Sequence, residues 1–96
     1  MGSLDGKNAI ITGANRGLGK ALVEALTREG CNVWAVARKP SDEFDVFISG
    51  IRKNNNVRIT PIYADLSSEE SIKNAYNIIN SENRSSDVLI NNAGVG

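Results

Sequence analysis

The 96-residue chain contains no histidine, one cysteine, one tryptophan and two prolines, and its eleven basic and eleven acidic side chains cancel to zero net charge. Each shortage excludes a class of chemistry. Without histidine, and with Cys31 as the lone thiol, neither the usual zinc ligand sets nor a Ser-His-Asp or Cys-His nucleophile can be assembled from it. A single cysteine cannot close an internal disulfide, so nothing calls for an oxidising compartment. The charge balance removes the long-range attraction behind non-specific nucleic-acid binding, and it argues against a polybasic membrane anchor. No apolar run approaches the ~18 residues of a membrane span. The opening Met1-Gly2-Ser3-Leu4-Asp5 lacks the basic and then apolar regions of a signal peptide. A soluble, cytoplasmic protein is expected, with neither nucleic acid nor membrane as partner. What is present is ordinary for a globular chain: 41% apolar and 23% charged residues, enough for one small domain with a modest core.

Short apolar runs alternate with helical patterns. Asn8–Thr12 carries Ala9, Ile10 and Ile11 without alternation and predicts a buried strand. Leu18, Ala21, Leu22, Ala25 and Leu26 fall on one face of a following helix, and Gly30 stands where a left-handed C-terminal cap is expected. Val33–Ala37 predicts a second strand, with Trp34 packed on the sheet and Cys31 entering as a small apolar residue rather than a reactive thiol. Ser41, Asp42 and Glu43 supply a capping hydroxyl and acids for a second helix whose stripe is Phe44, Phe47, Ile48 and Ile51. Asn54-Asn55-Asn56 breaks it. A third strand, about Val57–Ala64, contains Pro61, which would cost a central strand a ladder donor; that strand belongs at a sheet edge. Ser67 and Glu70 read as a capping box for a third helix with the stripe Ile72, Ala75, Tyr76 and Ile79, and Val88-Leu89-Ile90 is the fourth strand. The order βαβαβαβ means an α/β fold, a parallel sheet with right-handed crossovers. No repeat or linker interrupts it, so residues 1–96 form one unit.

The informative segment is Thr12-Gly13-Ala14-Asn15-Arg16-Gly17-Leu18-Gly19, between a predicted strand and a predicted helix. Gly13 allows a tight exit from the strand, Gly17 lets backbone approach an anion, and Gly19 lets the helix pack close to the sheet. Unpaired N–H groups at the helix start then suit a diphosphate. The spacing is G-x-x-x-G-x-G, not G-x-G-x-x-G. It is not a P-loop either, because Gly19-Lys20 is followed by Ala21 and leaves no hydroxyl for magnesium.

With Leu4-Asp5-Gly6-Lys7 ahead of that loop, Asp65-Leu66 after strand three and Asn91-Asn92-Ala93-Gly94 after strand four, the chain resembles the classical short-chain dehydrogenase/reductase family. The likeness is greatest to its 3-oxoacyl-(acyl-carrier-protein) reductase-like members. The resemblance implies a Rossmann-type sheet of order 3-2-1-4 with helices on both faces, which agrees with the edge position read from Pro61. It further implies that Gly13, Asn15, Arg16, Gly17, Leu18 and Gly19 surround the coenzyme phosphates and ribose. Asp65 would accept from the adenine amino group, the Leu66 N–H would meet a ring nitrogen, and Asn91, Ala93 and Gly94 would border the adenosine ribose and leave room for coenzyme. Thr12 is expected to tie strand one to the loop after strand four. Where NAD-binding versions need a carboxylate at the end of strand two, this chain has Ala37 followed by Arg38. Arg38, with Arg16 beside it, favours the 2′-phosphate of NADP(H) over NAD(H).

The family's chemistry needs a Tyr-x-x-x-Lys pair with a nearby Ser. Four residues beyond Tyr63 stands Ser67, and four beyond Tyr76 stands Asn80, so this chain supplies no catalytic residue of that set. Family members run to well over twice this length. The chain therefore reads as the coenzyme-binding N-terminal half of an NADP-dependent carbonyl reductase or alcohol dehydrogenase, cut off after strand four. Its small-molecule substrate would be bound by downstream sequence, and a homo-oligomer is expected. The rival readings are a non-catalytic NADP-binding or interaction module and a structural remnant without ligand affinity.

Overall fold

In a computed structural model, which describes residues 2–92, continuous apolar runs become strands and periodic ones become helices. The order is β1 (Asn8–Thr12), α1 (Gly17–Arg28), β2 (Asn32–Ala37), α2 (Asp42–Asn54), β3 (Ile59–Tyr63), α3 (Glu69–Asn80) and β4 (Val88–Ile90). The strands form one sheet in the order β3-β2-β1-β4, every pair parallel. This is the Rossmann-type arrangement. β3 lies at an edge, as Pro61 requires, with Pro61 opposite Ala35 of β2.

Alternate residues of each strand serve two separate cores. Ala9, Ile11, Val33, Ala35, Ala37 and Ile59 face α1 and α2, packing with Val23, Phe44, Ile48 and Ile51. Trp34, Val36, Ile62 and Ala64 face the other way, where Ala75 and Ile79 of α3 cover them. Trp34 is fully buried, and the Arg84 guanidinium stacks 4.5 Å from its ring centre. Helices thus lie on both faces.

A run of polar bonds crosses all four strands at their N-terminal ends. The Asn8 amide donates to Asp87 Oδ2 at 2.9 Å, Asn32 Nδ2 donates to Asn8 Oδ1 at 3.1 Å, and the Arg58 amide donates to Asn32 Oδ1 at 2.9 Å. Polar side chains at strand ends saturate backbone groups that the short ladders leave open.

Three sequence expectations need correction. On α1 Gly19, Val23 and Thr27 are buried, with Leu22 and Leu26 of the predicted face half-buried beside them, whereas Leu18, Ala21 and Ala25 are exposed. The cap of α3 is Ser68, whose hydroxyl accepts from the Ser71 amide at 3.2 Å; Ser67 instead bonds Asp65. On α3, Ala75 and Ile79 are buried, but Ile72 and Tyr76 are exposed, Tyr76 at 62%. Among the described residues α3 is the one helix on its face, so only a narrow stripe finds cover.

Candidate functional site

The site is built where β1, β2 and β3 end. β1 leads into a turn closed by bonds from the Ala14 amide to the Val36 carbonyl (3.0 Å) and from the Arg16 amide to the Gly13 carbonyl (3.4 Å). Gly13 and Gly17 both hold positive φ, +64° and +31°, which lets the chain reverse into α1. Gly19 is buried against the turn, and a Cβ there would lie 2.0 Å from the Gly13 carbonyl oxygen. Only glycine permits that approach. A Cβ at Gly17 would meet nothing within 4 Å, so the space before it is open.

The three helix starts differ. Ser41 caps α2, accepting from the Phe44 amide at 3.1 Å, and Asp42, Glu43 and Asp45 occupy its first turn. Ser68 caps α3, with Glu69 and Glu70 in the first turn. At α1 no side chain caps the helix, and its first turn holds no acid. Its opening N–H groups, together with the positive end of the helix dipole, stand ready for an anion.

An open cleft of about 500 Å³ runs from this helix start across the ends of β2 and β3. Of the residues singled out in the sequence, it brings together Gly13, Asn15, Arg16, Arg38, Asp65 and Leu66. Gly17, Leu18 and Gly19 form the first residues of α1 next to it, Leu18 with 61% of its surface exposed. Asn91 does not line the cleft. Ala93 and Gly94 lie outside the described residues.

Thr12 ties β1 to the segment after β4. Its hydroxyl donates toward Asn91 Oδ1 at 3.1 Å and accepts from the Asn92 amide at 2.9 Å. The side chain of Asn92 turns back to the Gly13 carbonyl, 3.4 Å away, and lines the cleft. Sequence reasoning singled out Asn91 for its main chain and passed over Asn92, whose side chain lines the cleft. Adjacent asparagines look alike in sequence; both bond Thr12, Asn91 through its side chain and Asn92 through its backbone amide, which leaves the Asn92 side chain to turn to the Gly13 carbonyl.

Asp65 is fixed by its neighbour. The amide and hydroxyl of Ser67 both donate to Asp65 Oδ1, at 3.0 and 2.6 Å. These bonds, with a smaller contribution from the nearby Arg38 charge, hold the carboxyl below the usual carboxylate range. Asp65 is therefore an ionised acceptor at neutral pH. Ser67, read from the sequence as a helix cap, instead fixes Asp65, and Asp-x-Ser is a recognisable turn signal for that bond.

Comparison with known proteins bears directly on this cleft. The profile of the family described as short chain dehydrogenase matches residues 7–96. An uncharacterised oxidoreductase, YxbG, of Bacillus subtilis is 36% identical over 95 residues, which are 99% of this chain and 34% of that protein. The 3-oxoacyl-(acyl-carrier-protein) reductase of Vibrio harveyi is 36% identical over 93 residues, 97% of this chain and 36% of that protein. The crystal structure of L-sorbose reductase from Gluconobacter frateurii, complexed with NADPH and L-sorbose, superposes with a TM-score of 0.87 at 30% identity, covering 97% of this chain and 35% of that one. The chain thus spans about a third of the length of the relatives it matches. With the glycine turn, the uncapped first helix and the sheet order in place, the match over residues 7–96 makes the chain a member of the short chain dehydrogenase family.

Proposed function

We propose that this chain is the coenzyme-binding part of an NADP(H)-dependent oxidoreductase that interconverts a carbonyl compound and an alcohol, with a 3-oxoacyl thioester as the model substrate. The observation that carries the reading is the contrast among the helix starts. Only α1, of the three, has its first turn free of a cap and of acids. It opens onto a cleft bordered by two guanidinium groups, Arg16 and Arg38. The residues present fit a dinucleotide. The α1 amides and the open space before Gly17 take the diphosphate, Asp65 accepts from the adenine amino group, and the Leu66 amide donates to a ring nitrogen. The family resemblance assigns Asn91, through its main chain, with Ala93 and Gly94 to the side of the ribose, and Leu18 to the surround of the phosphates.

NADP(H) supplies the hydride when bound. The chain's own part is to bind and orient: α1 fixes the diphosphate, and Arg38 with Arg16 holds a 2′-phosphate at the end of β2. No carboxylate stands there to receive a bare ribose diol, since that position is Ala37. The proton-transferring tyrosine and its lysine belong to a further part of the protein, which would also bind the substrate and form a homo-oligomer. The vibrio relative is named for 3-oxoacyl reduction and the Gluconobacter structure holds NADPH, which supports both the coenzyme and the substrate class.

The test is Arg38→Asp in the whole protein. Charge-assisted bonds to phosphate contribute about 1.5–3 kcal/mol, so wild type should prefer NADPH over NADH by about tenfold to a hundredfold. The variant should reverse that order, because its carboxylate repels a 2′-phosphate and accepts from a ribose hydroxyl. Unchanged preference would show that the phosphate lies elsewhere.

A further inference from the structure

Building on that coenzyme reading, we propose that Lys20 is a further determinant of coenzyme choice, its ammonium group forming with Arg16 the outer wall of the seat for a phosphate on the adenosine ribose. Beside the cleft a second cavity, about 420 Å³, opens between the start of α1 and the start of α2. Asn15 and Arg16 line both spaces, so the two meet there. Lys20 lines the second one. It stands one turn along α1 from Arg16, whose carbonyl accepts the Lys20 amide at 3.1 Å. Its ammonium group lies 5.1 Å from the centre of the Phe47 ring. An aromatic face steadies a cation without neutralising it, so the charge stays available to an incoming anion.

Asp42 and Glu43 border the same cavity. Even so, among the described residues the only ion pair joins Arg84 to Glu82. Arg16, Lys20 and Arg38 therefore carry charge that no carboxylate meets at contact distance. Arg16 and Lys20 line the second cavity and Arg16 and Arg38 line the cleft, so Arg16 joins two spaces that each hold a pair of cations, an arrangement that suits a ligand carrying a phosphate beyond the diphosphate. The hydroxyl oxygen of Ser41 accepts from the Phe44 amide, and its O–H can still donate to a phosphate in this cavity. Asp42 and Glu43 line the same cavity and repel a phosphate, which favours its seat on the Arg16 side, where the cavity meets the cleft that holds Arg38.

The proposal is tested by calorimetric titration of the whole protein at low salt with two probes, 2′,5′-ADP and 5′-ADP. A single charge near a phosphate in watery surroundings changes affinity by about threefold to tenfold. Lys20→Met should weaken 2′,5′-ADP by that factor and leave 5′-ADP unchanged. Lys20→Arg should retain the wild-type affinity for both, and Asp42→Asn should strengthen 2′,5′-ADP alone. A Lys20→Met variant that loses nothing, or loses both nucleotides equally, overturns the role of Lys20 while the coenzyme cleft stands. Wild-type protein that binds neither nucleotide overturns the coenzyme reading itself, and this proposal with it.

Discussion

At the scale of single residues, one missing methyl group sets the geometry of the site. Gly19 brings α1 against the Gly13 carbonyl, and an added Cβ would lie 2.0 Å from that oxygen and 2.9 Å from Asn92 Nδ2. Gly19→Ala must push the helix from the turn. We expect a loss of about 1–3 kcal/mol in urea unfolding, the usual cost of overpacking. NADPH affinity should fall with it, because the α1 amides move with the helix; an alanine variant with native stability and affinity would contradict the packing account. The role of Gly19 was legible from its place between strand and helix. The phase of α1 was not. Leu18, Ala21 and Ala25 carry as much apolar weight as the residues that are buried, while glycine and threonine carry almost none. The structure settles the tie by physics that a hydrophobic count omits: Gly19 must face the sheet, and buried Thr27 satisfies its hydroxyl on the Val23 carbonyl at 2.7 Å. Cys31 is the simpler case. It is buried, and that burial pushes its thiol up, so it stays protonated and inert as expected from its place at the entry to β2.

At the scale of elements, side-chain capping separates α2 and α3 from α1, which has none. Ser41 was read correctly because serine precedes two acids and then an apolar stripe. Ser67 was mistaken for a cap because Ser67-Ser68-Glu69-Glu70 offers two hydroxyls in sequence. Asp65 decides between them, drawing the Ser67 hydroxyl to itself and leaving Ser68 to the Ser71 amide. Ser68→Ala should therefore cost about 1 kcal/mol of stability. Glu70→Ala, which would remove the carboxylate of a capping box, should cost much less. A larger loss from Glu70→Ala than from Ser68→Ala in thermal melts would restore Ser67 and Glu70 as the cap. The same reasoning bears on function. Capping α1 by replacing Arg16 with aspartate would mimic the other two helices and place a carboxylate where the diphosphate is expected.

At the scale of the whole molecule, the two edges of the sheet, β3 and β4, differ in kind. β3 is an edge built to be one, with Pro61 in it, and that position was legible from the sequence. The place of β4 beside β1 was not readable from any residue of β4 and came only with the family resemblance. β4 pairs with β1 through Val88, Leu89 and Ile90, yet Leu89 remains 66% exposed. An apolar strand at an unprotected edge invites pairing with another chain. Expressed as these 96 residues, the protein should self-associate as its concentration rises, and Leu89→Lys should suppress this in light scattering. A monomer at all concentrations would refute the edge argument. The account as a whole rests on the cleft that joins the ends of β1, β2 and β3. Its most direct test is a crystal structure of the whole protein grown with NADPH. The account predicts the diphosphate within hydrogen-bond reach of the first-turn amides of α1, with the 2′-phosphate against Arg16 and Arg38. Coenzyme bound away from the start of α1, or a 2′-phosphate turned from both guanidinium groups, would contradict it.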